Sequence, residues 1–284
     1  MNKADIYMKN DIEEILLNGY LDENPRPKYA DGTPAHTFFV THNVRKYDLS
    51  KGEFPITSLR PIAWKNAIKE ILWIYQDASN DLSLLSEKYG INWWNEWESK
   101  DIPGTIGCRY GHTVNTYDLF NKRVLNDIKE DPYSRYHICN LWQEEELNRS
   151  DGLKPCAYET IWTVRGKYLD MLLNQRSGDM LVASGAGNVN EVQYAALLIM
   201  VARHTGYMPG KFTHVVANEQ IYDRHIRQAK ELYSRAKELE IVENNSPQLI
   251  LNPDKDNFYD ITIDDFSMEE YYPMKPNLKF DLGI

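Results

Sequence analysis

Cys156 is the residue of this chain best suited to covalent chemistry. It follows Pro155, precedes an alternating apolar run, and is trailed by a compact polar cluster, Gln175-Arg176-Ser177-Gly178-Asp179. The thiolate is the reactive form of cysteine, so a nucleophilic cysteine needs a nearby cation, and Arg176 is the candidate. A lone cysteine is more often a small buried apolar residue. Its company therefore has to carry the argument. Glu70 lies inside a helical pattern and on its own reads as a solvated charge. Trp93-Trp94-Asn95-Glu96-Trp97 reads as core packing on composition alone, or as an aromatic wall for a flat heterocycle. The glycines of Gly104–Gly111 lack the spacing of a dinucleotide fingerprint, and that reading is rejected.

The elements that must position these groups follow from periodicity. Tyr158–Val164 alternates as a strand, Tyr168–Leu173 suits a second, and the Gly166-Lys167 pair between them predicts a hairpin. Such a hairpin returns Arg176 to the sheet end that carries Cys156. Residues 2–19 predict an amphipathic helix closed by Gly19, and 37–47 a strand. The span 55–76 carries a helical pattern with a buried face. Further expected elements are helices over 118–131, 192–204 and 220–239, and strands over 134–142 and 212–216. No linker, repeat or low-complexity stretch interrupts the chain, so a single mixed α/β domain over 1–284 is expected.

Composition narrows the function classes. With 284 residues the chain can bury a full core. Its 26% charged and 42% hydrophobic content is that of an ordinary soluble protein. A net charge of −10 argues against a general nucleic-acid surface, which is usually basic, though not against a local phosphate pocket. Three cysteines, Cys108, Cys139 and Cys156, form neither a disulfide framework nor a metal-ligand spacing. No signal-peptide core and no apolar run near the ~20 residues of a bilayer span are present. A cytoplasmic protein without membrane or metal is expected.

The ordered set Pro155-Cys156, Gln175-Arg176-Ser177-Gly178-Asp179, Asn188-Val189-Asn190 and Gln193-Tyr194-Ala195-Ala196-Leu197 resembles the thymidylate synthase family, with further matches from about residue 30 to the C-terminus. The resemblance implies a mixed β-sheet with a long buried helix and surrounding helices, dimerising through the sheet. It implies reductive methylation of dUMP by 5,10-methylenetetrahydrofolate, through addition of the Cys156 thiolate to C6 of uracil. It further assigns roles. Arg176 binds phosphate and stabilises the thiolate, Ser177 joins the phosphate shell, and Arg135 reaches the partner's phosphate across a homodimer. Glu70 organises proton transfer at O4, Tyr110 lies near C5, and Asn190 reads O4 and N3. Gln175 belongs to the substrate set, Asp179 lies near base and folate, and Tyr222 and Gln220 meet the ribose. Trp94 and Trp97 form the folate wall, Arg60 takes the place of a folate-tail Lys, and Ile284 ends a closing tail.

The chain departs from the family pattern in places. Ala157 follows the nucleophile where many members have His, and Tyr136 replaces a second cross-dimer Arg. Asn218 and Gln220 replace an Asp and a His. The N-terminal phosphate Arg is replaced by Arg26 or Lys28, or Gly32 stands in its place. The loop from Asp179 to Tyr194 is about three residues longer by hand alignment. Two rival readings share the resemblance: a dUMP hydroxymethylase, and a weakened homologue that binds nucleotide or its own messenger RNA.

Overall fold

The computed structural model describes residues 1–239 and 246–284. Its strands are β1 (Tyr20–Leu21), β2 (Thr37–Asp48), β3 (Ile138–Asn140), β4 (Ala157–Arg165), β5 (Tyr168–Gln175), β6 (Gly178–Asp179), β7 (Met208–Tyr222), β8 (Gln248–Leu251) and β9 (Phe266–Glu269). Its α-helices are α1 (Lys3–Asn18), α2 (Trp64–Ile71), α3 (Leu82–Tyr89), α4 (Gly111–Tyr117), α5 (Asp127–Glu130), α6 (Glu144–Leu147), α7 (Val189–Thr205) and α8 (Ile226–Leu239). The main sheet runs β1-β2-β7-β5-β4-β3, with β6 on β7, while β8 and β9 pair separately. β5 and β6 lie parallel to β7 and the remaining pairs are antiparallel, so the sheet is mixed.

The expected hairpin forms as β4–β5. Arg165 pairs with Tyr168 across the Gly166-Lys167 turn, and Gly166 takes φ +61°, a conformation glycine adopts without a steric penalty. α7 is apolar on every side and is buried accordingly, from Val192 through Ala202. The largest core gathers α7, α2 and the β4–β5 sheet around Trp73, Trp162 and Phe212. A second core, with Met8, Ile12, Leu59, Met180, Ile221 and Leu232, joins α1 to α8.

Several boundaries differ from the periodic reading. α2 begins only at Trp64, because Pro55 and Pro61 hold the preceding segment extended, and the helix closes in a π-turn over Leu72–Gln76. The 118–131 helix is mostly a π-helix, Phe120–Asn126, ahead of the short α5. Only Ile138–Asn140 of the expected 134–142 strand pairs in the sheet. β7 extends to Tyr222, so Gln220 and Tyr222 sit on a strand rather than in the charged helix, which starts at Ile226. Gly19 ends α1 with extended φ −65° rather than the left-handed turn of a glycine stop. What requires glycine there is space, since a Cβ would collide with the Ile15 carbonyl. Among the described residues no helix is long and apolar enough to cross a membrane.

Candidate active site

The β4–β5 hairpin sets the centre of the site. Arg176 N donates to the Cys156 carbonyl at 2.9 Å, the last rung joining the two strands. The Arg176 side chain then turns back on the thiol. Its Nη2 lies 3.6 Å from Cys156 Sγ and donates to Lys154 O at 2.8 Å, while Nε donates to Pro155 O at 3.0 Å. Nη1 makes no hydrogen bond with any described residue. Burial pushes the Cys156 thiol up, against the pull of Arg176 and Arg26. The sequence reading expected a net lowering. Desolvation of the half-buried sulfur outweighs the two guanidinium charges in the protein alone. Arg26 is thus one of the two cations whose charge acts on the thiol.

Tyr110 approaches Cys156 from the Gly104–Gly111 segment, and its hydroxyl accepts from Cys156 N at 2.9 Å. Its backbone is strained, with φ +48° and ψ −109°. Two features hold it there. Gly111 packs so tightly that a Cβ would strike the Ser79 backbone. The buried Arg109 guanidinium donates to the carbonyls of Cys108, Glu146, Leu147 and Ser150 at 2.7–3.2 Å. These contacts account for the glycine-rich segment that matched no nucleotide motif.

Glu70 is buried on α2 and is no solvated charge. Burial pushes its carboxyl up to about 7, with Trp94, Trp93 and Gln193 favouring the ionised form. Trp93 Nε1 donates to Glu70 Oε2 at 2.7 Å. Trp94 packs edge-on against Tyr110 and Trp97, with centroids 5.4 and 5.7 Å apart. The tryptophan cluster is thus part of the site. Trp93, the member that supports the carboxylate, was not singled out from sequence.

Asn190 opens α7 one turn from Gln193. Gln175 Nε2 donates to Asn190 Oδ1 at 3.2 Å, and Asn190 Nδ2 donates to Gln193 Oε1 at 2.9 Å. Gln175 also donates to the Ser177 carbonyl at 3.0 Å. Asp179 caps the turn Met180–Ser184, accepting from Leu181 N and Val182 N at 3.1 and 3.2 Å. Burial pushes its carboxyl up, opposed by His225 and Arg60. Gln220 pairs with Asp179 across the β6–β7 register. Tyr222 is buried at the end of β7, its hydroxyl pushed up to about 12 by burial and by Asp179.

Other candidates have different surroundings from those expected. Arg60 is no free folate-tail cation. Its buried Nη2 donates to Leu181 O at 2.7 Å and Asn188 Oδ1 at 2.8 Å, burial pushes it down to about 10, and its guanidinium lies 5.2 Å from the Phe280 ring centre. It therefore braces the loop before α7. Gly187 of that loop, at φ +68°, sits where a Cβ would collide with Thr57 N. Lys28 pairs through its backbone with Ile284 in both directions, at 2.8 and 2.9 Å, and its side chain is exposed. Gly32 lies in a turn at φ +82°. Arg135 is exposed and makes no hydrogen bond or ion pair with any described residue.

Among the described residues the fold gathers a set of metal-ligand types that spacing did not reveal: the ligand atoms of Cys108, His112 and Glu146 lie within 4.8 Å of one another. His112 and Arg149 already satisfy the Glu146 carboxylate at 2.8 and 2.9 Å, so the cluster is complete as an ion pair.

Comparison with known proteins matches this geometry to one family. The family model described as thymidylate synthase matches residues 6–284. The thymidylate synthase of Streptococcus suis (strain 05ZYH33) is 49% identical over 290 residues, and that of Streptococcus pneumoniae (strain 70585) 49% over 289, each covering 100% of both chains. The solved thermostable thymidylate synthase A from Bacillus subtilis is similar in structure, with a TM-score of 0.86 at 35% identity and 99% of each chain covered. With a thiol–guanidinium pair at the head of the hairpin, a buried carboxylate behind it and relatives matched end to end, this chain belongs to the thymidylate synthase family.

Proposed function

We propose that the chain methylates dUMP to dTMP, with 5,10-methylenetetrahydrofolate supplying both the carbon and the hydride. On this reading residues 1–284 form one catalytic domain, working in the cytoplasm as a homodimer. The observation that carries it is the Cys156–Arg176 pair, 3.6 Å apart, with Tyr110 on the cysteine amide. Arg176 and Arg26 oppose the burial that holds the thiol protonated, and the thiolate adds to C6 of uracil. Electron density moves through C5 toward O4. There Asn190 donates a hydrogen bond, and Glu70, poised near neutrality, manages the proton. C5 attacks the folate methylene, and Tyr110 positions the water that removes the C5 proton. Folate departs, hydride reduces the exocyclic methylene, and Cys156 is released. Arg176, Ser177 and Arg26 surround the phosphate, joined by the partner's Arg135. Gln220 and Tyr222 meet the ribose. Trp94 and Trp97 stack toward the folate.

The test is a product analysis. Incubation with dUMP and methylenetetrahydrofolate is expected to yield dTMP and dihydrofolate. Hydroxymethyl-dUMP with tetrahydrofolate would instead mean that water meets the methylene. No product would mean a nucleotide-binding relative without turnover.

A further inference from the structure

The amide of Asn190 has a donor end and an acceptor end, and their order decides which base it can read. Here Oδ1 accepts from Gln175 and Nδ2 donates to Gln193. Both neighbours are amides that could reverse together with it, so the order must be anchored by groups with a single role. The Ser177 carbonyl is one. It can only accept, and Gln175 Nε2 lies 3.0 Å from it.

With Nε2 directed at Ser177 and Asn190, the Gln175 Oε1 faces His214 Nε2 at 3.0 Å. That nitrogen has to carry hydrogen. His214 is fully buried on β7, stacked on Phe212. Its Nδ1 lies 3.0 Å from Glu191 Oε1 and 3.2 Å from Arg45 Nη2. Glu191 is held in turn by Arg45 Nε at 2.6 Å, Tyr47 Oη at 2.7 Å and Gly187 N at 2.7 Å. Burial pushes the His214 imidazolium down, and Glu191 opposes this. A neutral ring accepts at Nδ1 from Arg45, and a protonated ring donates there to Glu191. Nε2–H is common to both.

We propose that His214, backed by Glu191 and Arg45, is a positioning residue for base choice. Its Nε2–H holds the Gln175 amide so that Asn190 presents Oδ1 to N3–H and Nδ2 to O4 of uracil. Cytosine reverses both positions, with an acceptor at N3 and a donor at the 4-amino group, so against this amide order it meets like with like. Flipping Asn190 to suit cytosine would set its NH2 against the NH2 of Gln175. The proposal rests on Asn190 reading the base, as in the function above.

The test compares the dissociation constants of dUMP and dCMP for the unaltered protein, His214→Phe, His214→Gln and Asn190→Asp. His214→Phe keeps a stacked ring without a donor, and His214→Gln restores an N–H. His214→Phe is expected to reduce the preference for dUMP by about tenfold, the scale of one buried hydrogen bond, and His214→Gln to recover most of it. A folded His214→Phe protein with unchanged preference overturns the proposal. Should His214→Phe not fold, ¹⁵N-histidine NMR of the unaltered protein decides: a protonated Nε2 supports the proposal and a bare Nε2 overturns it. Asn190→Asp separates the two layers. If it too leaves the preference unchanged, the base-reading role of Asn190 fails. If only Asn190→Asp shifts the preference, the role of His214 alone fails.

Discussion

At the scale of residues, the proposed mechanism divides the chemistry between Cys156 and Glu70. Cys156→Ser is expected to lower turnover by roughly 10⁴-fold or more, because the lost group forms the covalent bond. dUMP binding should persist, since Asn190, Arg176 and Tyr222 are untouched. A steady-state assay beside a dUMP titration measures both. Glu70 carries a pH signature. Burial raises its carboxyl from the ordinary 4.5 to about 7, so folding favours the protonated form. Stability linked to this group is therefore fully present below about pH 4.5 and declines as pH rises to about 7. Glu70→Gln removes that dependence. The variant's stability relative to the parent should climb across this window by roughly 3 kcal/mol, the linkage value of such a shift. Urea unfolding of both proteins at pH 5 and pH 8 measures the difference.

At the scale of elements, the C-terminal tail is the segment whose position explains most. Ile284 forms a two-way backbone pair with Lys28, His225 Nε2 bonds the Asp281 carbonyl at 2.8 Å, and Gly283 packs against the Tyr222 ring. The tail thus joins the Arg26–Lys28 segment to the end of β7, two edges of the site. Deleting Ile284 removes the two-way pair. dUMP binding and formation of the Cys156 adduct should survive, whereas dTMP formation should slow by roughly 100-fold through misplacement of the closed site. Hydroxymethyl-dUMP should be the product that escapes. Single-turnover analysis separates these steps, and dTMP formation at the parent rate would reduce the tail to a structural terminus.

At the scale of the whole molecule, Arg135 is exposed and makes no hydrogen bond or ion pair with any described residue, and the proposed homodimer gives it a role in the partner's site. Arg135→Ala and Cys156→Ser should each be inactive as homodimers. Mixing the two inactive variants should restore up to about a quarter of full activity, the share expected when random exchange leaves one intact site in each hybrid dimer. In a hybrid, one site holds both defects and the other holds neither. Activity assays after subunit exchange read the outcome, and an absence of recovery would place Arg135 outside the neighbouring site.

Sequence by itself determined the hairpin that returns Arg176 to Cys156 and the buried helix behind Asn190. These are local matters: a two-residue turn, alternation along Tyr158–Val164, and an apolar run too complete to face water. Sequence could not determine Glu70's state, because a carboxyl on a helix reads as solvated until α7 and the tryptophans enclose it. Nor could it reveal that Arg60 braces a loop, since that depends on which backbone lies across from the side chain. The deepest omission was the line from Arg45 and Glu191 through His214 to Gln175. Its members come from β2, α7, β7 and β5, and no spacing along the chain relates them. Only the tertiary structure, by burying polar groups that must then find partners, makes them one network.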